Sequence, residues 1–428
     1  MISILYSTVL FFYALCILPK FLWQRIVLGK YRETIAQRFG FHLPQLNLNA
    51  GQKVLWIHAV SMGETRAVIP LCQLLAKQFP EMAIVISSTT ETGYAEAKRS
   101  MPEANAHFFL PLDFSWIIQR TLNHFKPSYL ILVEGDVWYH LLSLAKKLGL
   151  KIFYVNGKIS ERSAKRFSYI SSFARRLYSY FDVLCVQSEL YASRFRSLGI
   201  PSDQLIVTGN MKLDASPKRL TDVELDHIRS ELGIKATDRL LVIGSTHEPE
   251  EEWLLSALDS VWKRIPTLKV VIVPRHPERF AHVTAMLRKR GVETISYSQR
   301  QQKTGAEQVI LIDAMGLLNT CYQLADIAIV AGTFVSHVGG HNLFEPTLFH
   351  VPVLFGPHVH NQPNLQQLIL EAKAGKQVTL EEVPQAVLDL LTHPEVHAKY
   401  VKACKTLCLS VQGSVKRTYD SILPYLLR

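Results

Sequence analysis

Residues 209–220 read GNMKLDASPKRL, and this stretch divides the chain into two similar halves. Glycine, proline and charge interrupt an alternation of short apolar runs and helical stretches that precedes the break and resumes after it. Ahead of it the candidate strands are 54–59 (VLWIHA), 83–87 (AIVIS), 106–109 (AHFF), 129–133 (YLILV), 152–155 (IFYV) and 183–186 (VLCV), with helical segments such as 65–79 and 138–147 between them. Beyond it come 240–244 (LLVIG), 268–274 (LKVVIVP), 294–297, 309–313, 327–332 (IAIVAG) and 353–356. Apolar strands alternating with helices are the pattern of parallel sheets flanked by helices.

The chain has 428 residues, more than one hydrophobic core usually organises. The reading is therefore α/β: two Rossmann-like domains facing across a cleft, the arrangement called GT-B, with a helical C-terminus from about residue 383. The expected bounds are 1–20 for a membrane anchor, 21–210 for the first domain and 211–428 for the second with the C-terminal helices. Ligands in such sheets sit at the carboxyl ends of the strands, so polar motifs matter most there.

The composition is globular, 48% hydrophobic and 19% charged, yet Lys and Arg exceed Asp and Glu by 47 to 36, a formal net charge of +11. That excess calls for an anionic partner: nucleic acid, a membrane surface or a phosphorylated substrate. The six cysteines stand in apolar contexts without disulfide or zinc spacing, which fits a reducing compartment. Cys404 and Cys408 form one C-x-x-x-C pair with no second pair to complete a metal site, and the spacing of Ser336, His337, His341, His358 and His360 matches no common zinc set.

Residues 2–19 (ISILYSTVLFFYALCILP) carry no charge and approach the length of a membrane-crossing helix. No basic residue precedes the run and no small-residue cleavage site follows it, so it reads as a retained anchor and not as a cleaved signal. Lys20, Arg25, Lys30, Arg32 and Arg38 follow against one acid, Glu33, with Trp23 and Tyr31 suited to the headgroup level. The excess of positive charge on that side places the bulk of the chain in the cytoplasm. A buried helix or one lying in the interface is the competing reading.

Several polar motifs occupy strand ends. Glu64, in HAVSMGE (58–64), falls near the start of the first long helix, where it serves equally as a general base with a raised pKa or as a capping residue. Glu134, in Glu134-Gly135-Asp136, closes the run YLILV and suits electrostatic or hydrogen-bonding work, with pairing to Lys or Arg the plain alternative. Lys212 could neutralise a phosphate or carboxylate, or be an exposed linker lysine. In the second half, Gly244-Ser245-Thr246-His247, Arg275-His276-Pro277, Gly316-Leu317-Leu318 and Gly339 to Pro346 (GGHNLFEP) form the densest cluster. Glycines ahead of an expected helix free backbone N–H groups for phosphate, Glu345 can accept from ribose hydroxyls, and Arg275 offers a donor fork. A G-x-G-x-x-G fingerprint and a P-loop are both missing, against dinucleotide binding and phosphate transfer from ATP.

Together these motifs resemble the Kdo transferases, enzymes that add 3-deoxy-D-manno-octulosonic acid (Kdo) to lipid A precursors in Gram-negative bacteria, chlamydial-type members included. The resemblance runs through GKYR (29–32), HAVSMGE (58–64), SSTTETGY (87–94), GKISERS (157–163), QSE (187–189), GNMKLD (209–214), PRHPERF (274–280) and GGHNLFEP (339–346). It implies an inverting transferase that uses CMP-Kdo as donor and a lipid A precursor, lipid IVA, as acceptor. It also implies the bacterial inner membrane as location, with a single-pass N-terminal anchor and the catalytic domains on the cytoplasmic side.

On matching positions it makes Glu64 the base and Glu134 and Lys212 transition-state stabilisers. Arg275, His276, Gly316, Leu317, Leu318, Asn342, Leu343, Phe344 and Glu345 would bind CMP. The implied partners are the donor, the lipid acceptor and an anionic membrane surface, with no nucleic acid, metal or cofactor. The chain departs from the family where Glu134-Gly135-Asp136-Val137-Trp138-Tyr139 replaces Glu-Thr-Glu, an aliphatic residue, Trp and Pro, and where Lys158 replaces a frequent arginine, removing a bidentate fork. The competing functions are a nucleotide-sugar epimerase of the same architecture and a non-catalytic protein that binds anionic lipids.

Overall fold

The computed structural model describes residues 2–26, 34–214 and 219–427, with side chains left out at 20–22 and 24–26. The GKYR motif at 29–32, the collar side chains Lys20, Arg25, Lys30, Arg32 and Glu33, Tyr31, and linker residues 215–218 lie outside the described residues.

The chain divides into two compact units, one of Met1–Ala215 with Gln412–Arg428 and one of Ser216–Val411. In the first, β1 (Val54–Ala59), β2 (Ala83–Ser88), β3 (Ala106–Phe109), β4 (Tyr129–Val133), β5 (Lys151–Gly157), β6 (Val183–Val186) and β7 (Leu205–Val207) form one sheet in the order β3-β2-β1-β4-β5-β6-β7. In the second, β8 (Arg239–Thr246), β9 (Leu268–Pro274), β10 (Thr294–Ser296), β11 (Val309–Leu311), β12 (Ile327–Val330), β13 (Val353–Phe355) and β14 (Gly375–Gln377) run β10-β11-β9-β8-β12-β13-β14. The strand pairs are parallel throughout. Each sheet therefore reverses its winding once, between β1 and β4 and between β8 and β12, and such a switch point is where a doubly wound sheet binds ligands.

Burial on both faces explains the composition of the strands. Along β1, Val54 and Trp56 enter one core while Leu55, Ile57 and Ala59 enter the other, as the two-residue period of a strand requires. Serine and threonine start the helices: Ser61, Thr90, Ser160 and Ser188 each accept a backbone N–H from within the first helical turn. The first long helix, Met62–Gln78, begins three residues ahead of the expected 65, because Ser61 is its cap. β7 and β14, three residues each, extend the two sheets beyond the strands legible in the sequence.

Two segments differ from expectation. The N-terminal helix runs Ile2–Ile26, past residue 19, with Pro19 inside it. The last helix, Ser414–Leu426, belongs with the first unit: Tyr419, Ile422 and Leu426 cover one face of the first sheet. Asp214 secures it by accepting from the amides of Gly413 and Val415, both at 2.6 Å, at the helix N-terminus. Asp214→Ala is expected to loosen this helix by about 2 kcal/mol. The check is amide hydrogen exchange, which should quicken along 414–426 while β1 and β4 stay protected; unchanged exchange in that helix would contradict the role given to Asp214.

Candidate active site

The ends of β1 and β4 bring Glu64 and Glu134 to the switch point of the first sheet. Glu64 is a cap and more than a cap. Its amide donates to Ser61 Oγ at 3.4 Å and its Oε2 accepts from the Val60 amide at 2.8 Å, while Oε1 has Ser61 Oγ at 3.5 Å. Burial raises its carboxyl from an ordinary 4.5 to about 7, with Glu134 and Asp136 adding to the rise and the Val60 amide and Lys212 opposing it. A carboxyl poised there can release and take up a proton near neutral pH. The folded state holds this proton more tightly than the unfolded chain, so ionising Glu64 costs stability as pH rises from about 4.5 through about 7.

Glu134 is 3% exposed and would be costly to bury alone. Lys158 Nζ meets its Oε2 at 2.7 Å and Lys212 Nζ its Oε1 at 2.7 Å, while Asn156 Nδ2 donates to Oε1 at 2.8 Å. Burial acts to raise this carboxyl, but Lys158 and Lys212 outweigh it and hold the group below the usual carboxylate range. Glu134 thus stays ionised beside a Glu64 that carries a proton up to about neutrality.

The backbone here is unusual. Glu134, Asp136 and Asn156 adopt φ of 57°, 51° and 53°, a left-handed region that non-glycine residues avoid and that clusters at functional sites. Tyr154 fixes the turn by donating its hydroxyl to the Glu134 carbonyl. Asp136 lies 3.8 Å from Nε2 of the fully buried His58 and accepts from Thr89 Oγ1 at 3.3 Å. Lys212, foreseen either as a functional cation or as a plain linker lysine, is committed to Glu134, and Lys158, foreseen only as a departure from a family pattern, shares that role. Asn156 is missed by the sequence reading, because an asparagine inside an apolar strand end carries no local signal.

In the second unit the ends of β8, β9 and β12 gather a basic cluster. His247 Nε2 lies 2.7 Å from His341 Nε2 with the rings stacked, and His276 sits edge-on to His247. Both His247 and His341 are pushed down to about 4: burial dominates, with His341 and His276 adding for the first and Arg275 and His276 for the second. Both rings are therefore uncharged near neutrality, and Arg275 supplies the fixed positive charge that an anion would meet here. Glu250, fully buried, locks this corner by accepting from the amides of His247, Gly332 and Phe334 at 3.0, 2.7 and 3.0 Å.

Asn342 donates to Glu345 Oε1 at 3.3 Å, and Arg275 is near enough to lower the Glu345 carboxyl against the stronger effect of burial. Leu318 packs against Gly244 at the end of β8, placing the Gly316-Leu317-Leu318 turn beside that strand. Leu343 and Phe344 are core residues, 0% and 1% exposed, so it is their backbone that is available to a ligand. The helix expected after Gly339-Gly340 is a single 3-10 turn, Pro346–Phe349. Gly339 is required where it stands, since its φ is 77° and a Cβ would come within 2.4 Å of His360. Of these residues the sequence reading leaves out Glu250 and gives His247 and His341 no common role, because they meet only in the fold. Cys404 and Cys408 are buried and turn their thiols to the carbonyls of Ala374 and Thr347, and among the described residues no cluster of His, Cys, Asp or Glu is arranged to hold a metal.

Two parallel sheets of this order, with polar groups at both switch points, make the two-domain GT-B arrangement. The fold is similar to UDP-GlcNAc 2-epimerase from Neisseria meningitidis (TM-score 0.58, 17% identity, 88% of this chain and 100% of that one) and to a glycosyltransferase from Rickettsia africae (TM-score 0.56, 13% identity, 88% and 98%). Residues 33–215 match the family described as 3-deoxy-D-manno-octulosonic-acid transferase (kdotransferase). A 3-deoxy-D-manno-octulosonic acid transferase of Chlamydophila psittaci is 35% identical over 427 residues, 99% of this chain and 96% of the relative. One from Haemophilus influenzae is 31% identical over 405 residues, 93% of each. The chain belongs to the Kdo transferase family.

The balance of charge around Glu64 is directly measurable. With the side-chain carboxyls labelled with carbon-13, Glu64 should titrate near 7, and Lys212→Met should raise that value by removing a cation that lowers it. An ordinary titration near 4.5, or no change in the variant, would contradict this electrostatic picture.

Proposed function

We propose that the protein transfers Kdo from CMP-Kdo to a lipid A precursor, lipid IVA, with inversion at the anomeric carbon. The observation that carries the reading is Glu64, a half-buried carboxyl raised to about 7 with one oxygen held by the Val60 amide and the other held only by a long contact, 3.5 Å, to Ser61 Oγ. Glu64 takes the proton from a glucosamine hydroxyl of the acceptor as that oxygen bonds to the anomeric carbon. The bond from that carbon to the CMP phosphate oxygen breaks on the opposite face, CMP leaves with the electron pair, and the proton passes from Glu64 to solvent.

Glu134 holds Lys158 and Lys212 in place, and the two ammonium groups offset the carboxylate charge of the sugar as the transition state forms. In the second unit Arg275, His276, the Gly316-Leu317-Leu318 turn, Asn342, the backbone at Leu343 and Phe344, and Glu345 would hold CMP, beside the hydrogen-bonded pair His247 and His341. The scheme requires no metal.

The N-terminal helix is the proposed anchor: over residues 2–19 its mean hydropathy is 2.0, and Ile4, Leu5, Val9 and Phe12 are exposed on its surface. It would hold the enzyme at an anionic inner-membrane surface with both catalytic units on the cytoplasmic side, which gives the +11 charge its partner.

Incubation with CMP-Kdo and lipid IVA should release CMP and yield a heavier lipid by mass spectrometry. Glu64→Ala should lower the rate by at least about a thousandfold while CMP affinity stays within about twofold, since the base lies outside the nucleotide cluster. A folded protein that forms neither product would sink the reading, and loss of CMP affinity in the variant would contradict the role of Glu64.

A further inference from the structure

The N-terminal helix leaves a pocket between itself and the body of the first unit. Its first turns are docked: Tyr6 donates to Asp113 Oδ2 at 2.8 Å, Ser7 Oγ lies 2.9 Å from His140 Nε2, and Ile2 and Tyr6 pack on the core. Further along, the helix stands off the body and a cavity of about 610 Å³ opens beneath it. Leu10, Ala14 and Ile17 form the helix wall, and Leu112, Trp116 and Trp138 the wall of the body. Water gains little from so apolar a lining, whereas hydrocarbon gains about 0.8 kcal/mol per buried methylene.

Part of the pocket lining is polar, and it is the part that reaches toward the candidate site. Thr89, Arg38 and Asp136 line it. Asp136 is the same residue that lies against His58 and contributes to the raised pKa of Glu64. Arg38 donates to the Thr89 carbonyl at 2.6 Å, and Thr89 donates to Asp136, so the polar rim is continuous with the candidate site. An occupant must therefore be apolar along most of its length and carry a hydroxyl-rich head that ends near Glu64. It must also enter beside a helix whose outer face, including Leu5, Val9 and Phe12, is exposed and apolar. A glycolipid with fatty acyl chains has all of these properties.

We propose that this pocket takes one acyl chain of the acceptor lipid and so sets the sugar hydroxyl beside Glu64. This rests on the reading of the protein as a transferase to a lipid acceptor and names how that acceptor is recognised. The N-terminal helix then has two roles, holding the protein at the bilayer and forming one side of the substrate path.

The test uses the full chain in lipid nanodiscs, with acceptors that carry either myristoyl or octanoyl chains on the same disaccharide. Ala14→Trp narrows the pocket and should lower the ratio of kcat/KM for the long-chain over the short-chain acceptor by at least about tenfold, equivalent to about two methylenes left unburied. An unchanged ratio would overturn the proposal. An independent measurement needs no variant: a myristoyl acceptor with a diazirine at the chain end should label Leu10, Ile17 or Trp116 in the native protein. Label confined to residues away from this pocket would overturn the proposal even with transfer intact. Failure of transfer with every acceptor would sink the functional reading instead, and the labelling experiment would still decide the pocket.

Discussion

A carboxylate with almost no exposure to water has to be paired where it stands, and Glu134 sets that requirement for the candidate site. Its two oxygens are taken up by Lys158, Lys212 and Asn156. These partners come from three separate segments: the strand end of β5, the loop just beyond it, and the 3-10 turn Met211–Leu213 where the first unit nears its end. Asn156 closes the arrangement by accepting from the Met211 amide at 2.8 Å while donating to Glu134. Removing the charge of Glu134 would leave two ammonium groups converging on nothing, so the clamp is a constraint on backbone as much as on charge.

The clamp also decides the chemistry of its neighbour. Burial alone raises the Glu64 carboxyl, and the nearby Glu134 and Asp136 raise it further, but Lys212 and the Val60 amide pull it back. The outcome is a group that changes protonation near neutrality beside one that does not. Two carboxyls whose surroundings push their pKa values apart are the arrangement expected where one group moves protons and the other holds charge.

The strands were readable because parallel strands buried on both faces are apolar throughout, whereas the cap at Ser61, which starts the first long helix before residue 65, was not. β7 and β14 were not, since three residues leave no periodicity to detect. Strand-end position marked Glu64 and Glu134 and the linker motif marked Lys212 as candidates, yet the pairing of Glu134 with Lys212 spans 78 positions and the meeting of His247 with His341 spans 94, distances at which no local pattern operates. The burial of Leu343 and Phe344 was not legible either, because they sit inside a polar motif while their side chains lie in the core. The return of helix Ser414–Leu426 to the first sheet depends on Asp214 and on apolar residues at helical spacing that would suit either sheet.

The central claim is that the charge held at Glu134 sets the proton affinity of Glu64, and with it the pH at which transfer switches on. The pH dependence of single-turnover transfer in Glu134→Gln tests it most directly. The wild-type rate should rise with pH through about 7 as Glu64 ionises. In the variant, with a carboxylate removed and the two lysines uncompensated, the rising limb should move to lower pH while the plateau falls. A limb that stays at the wild-type position would contradict the account.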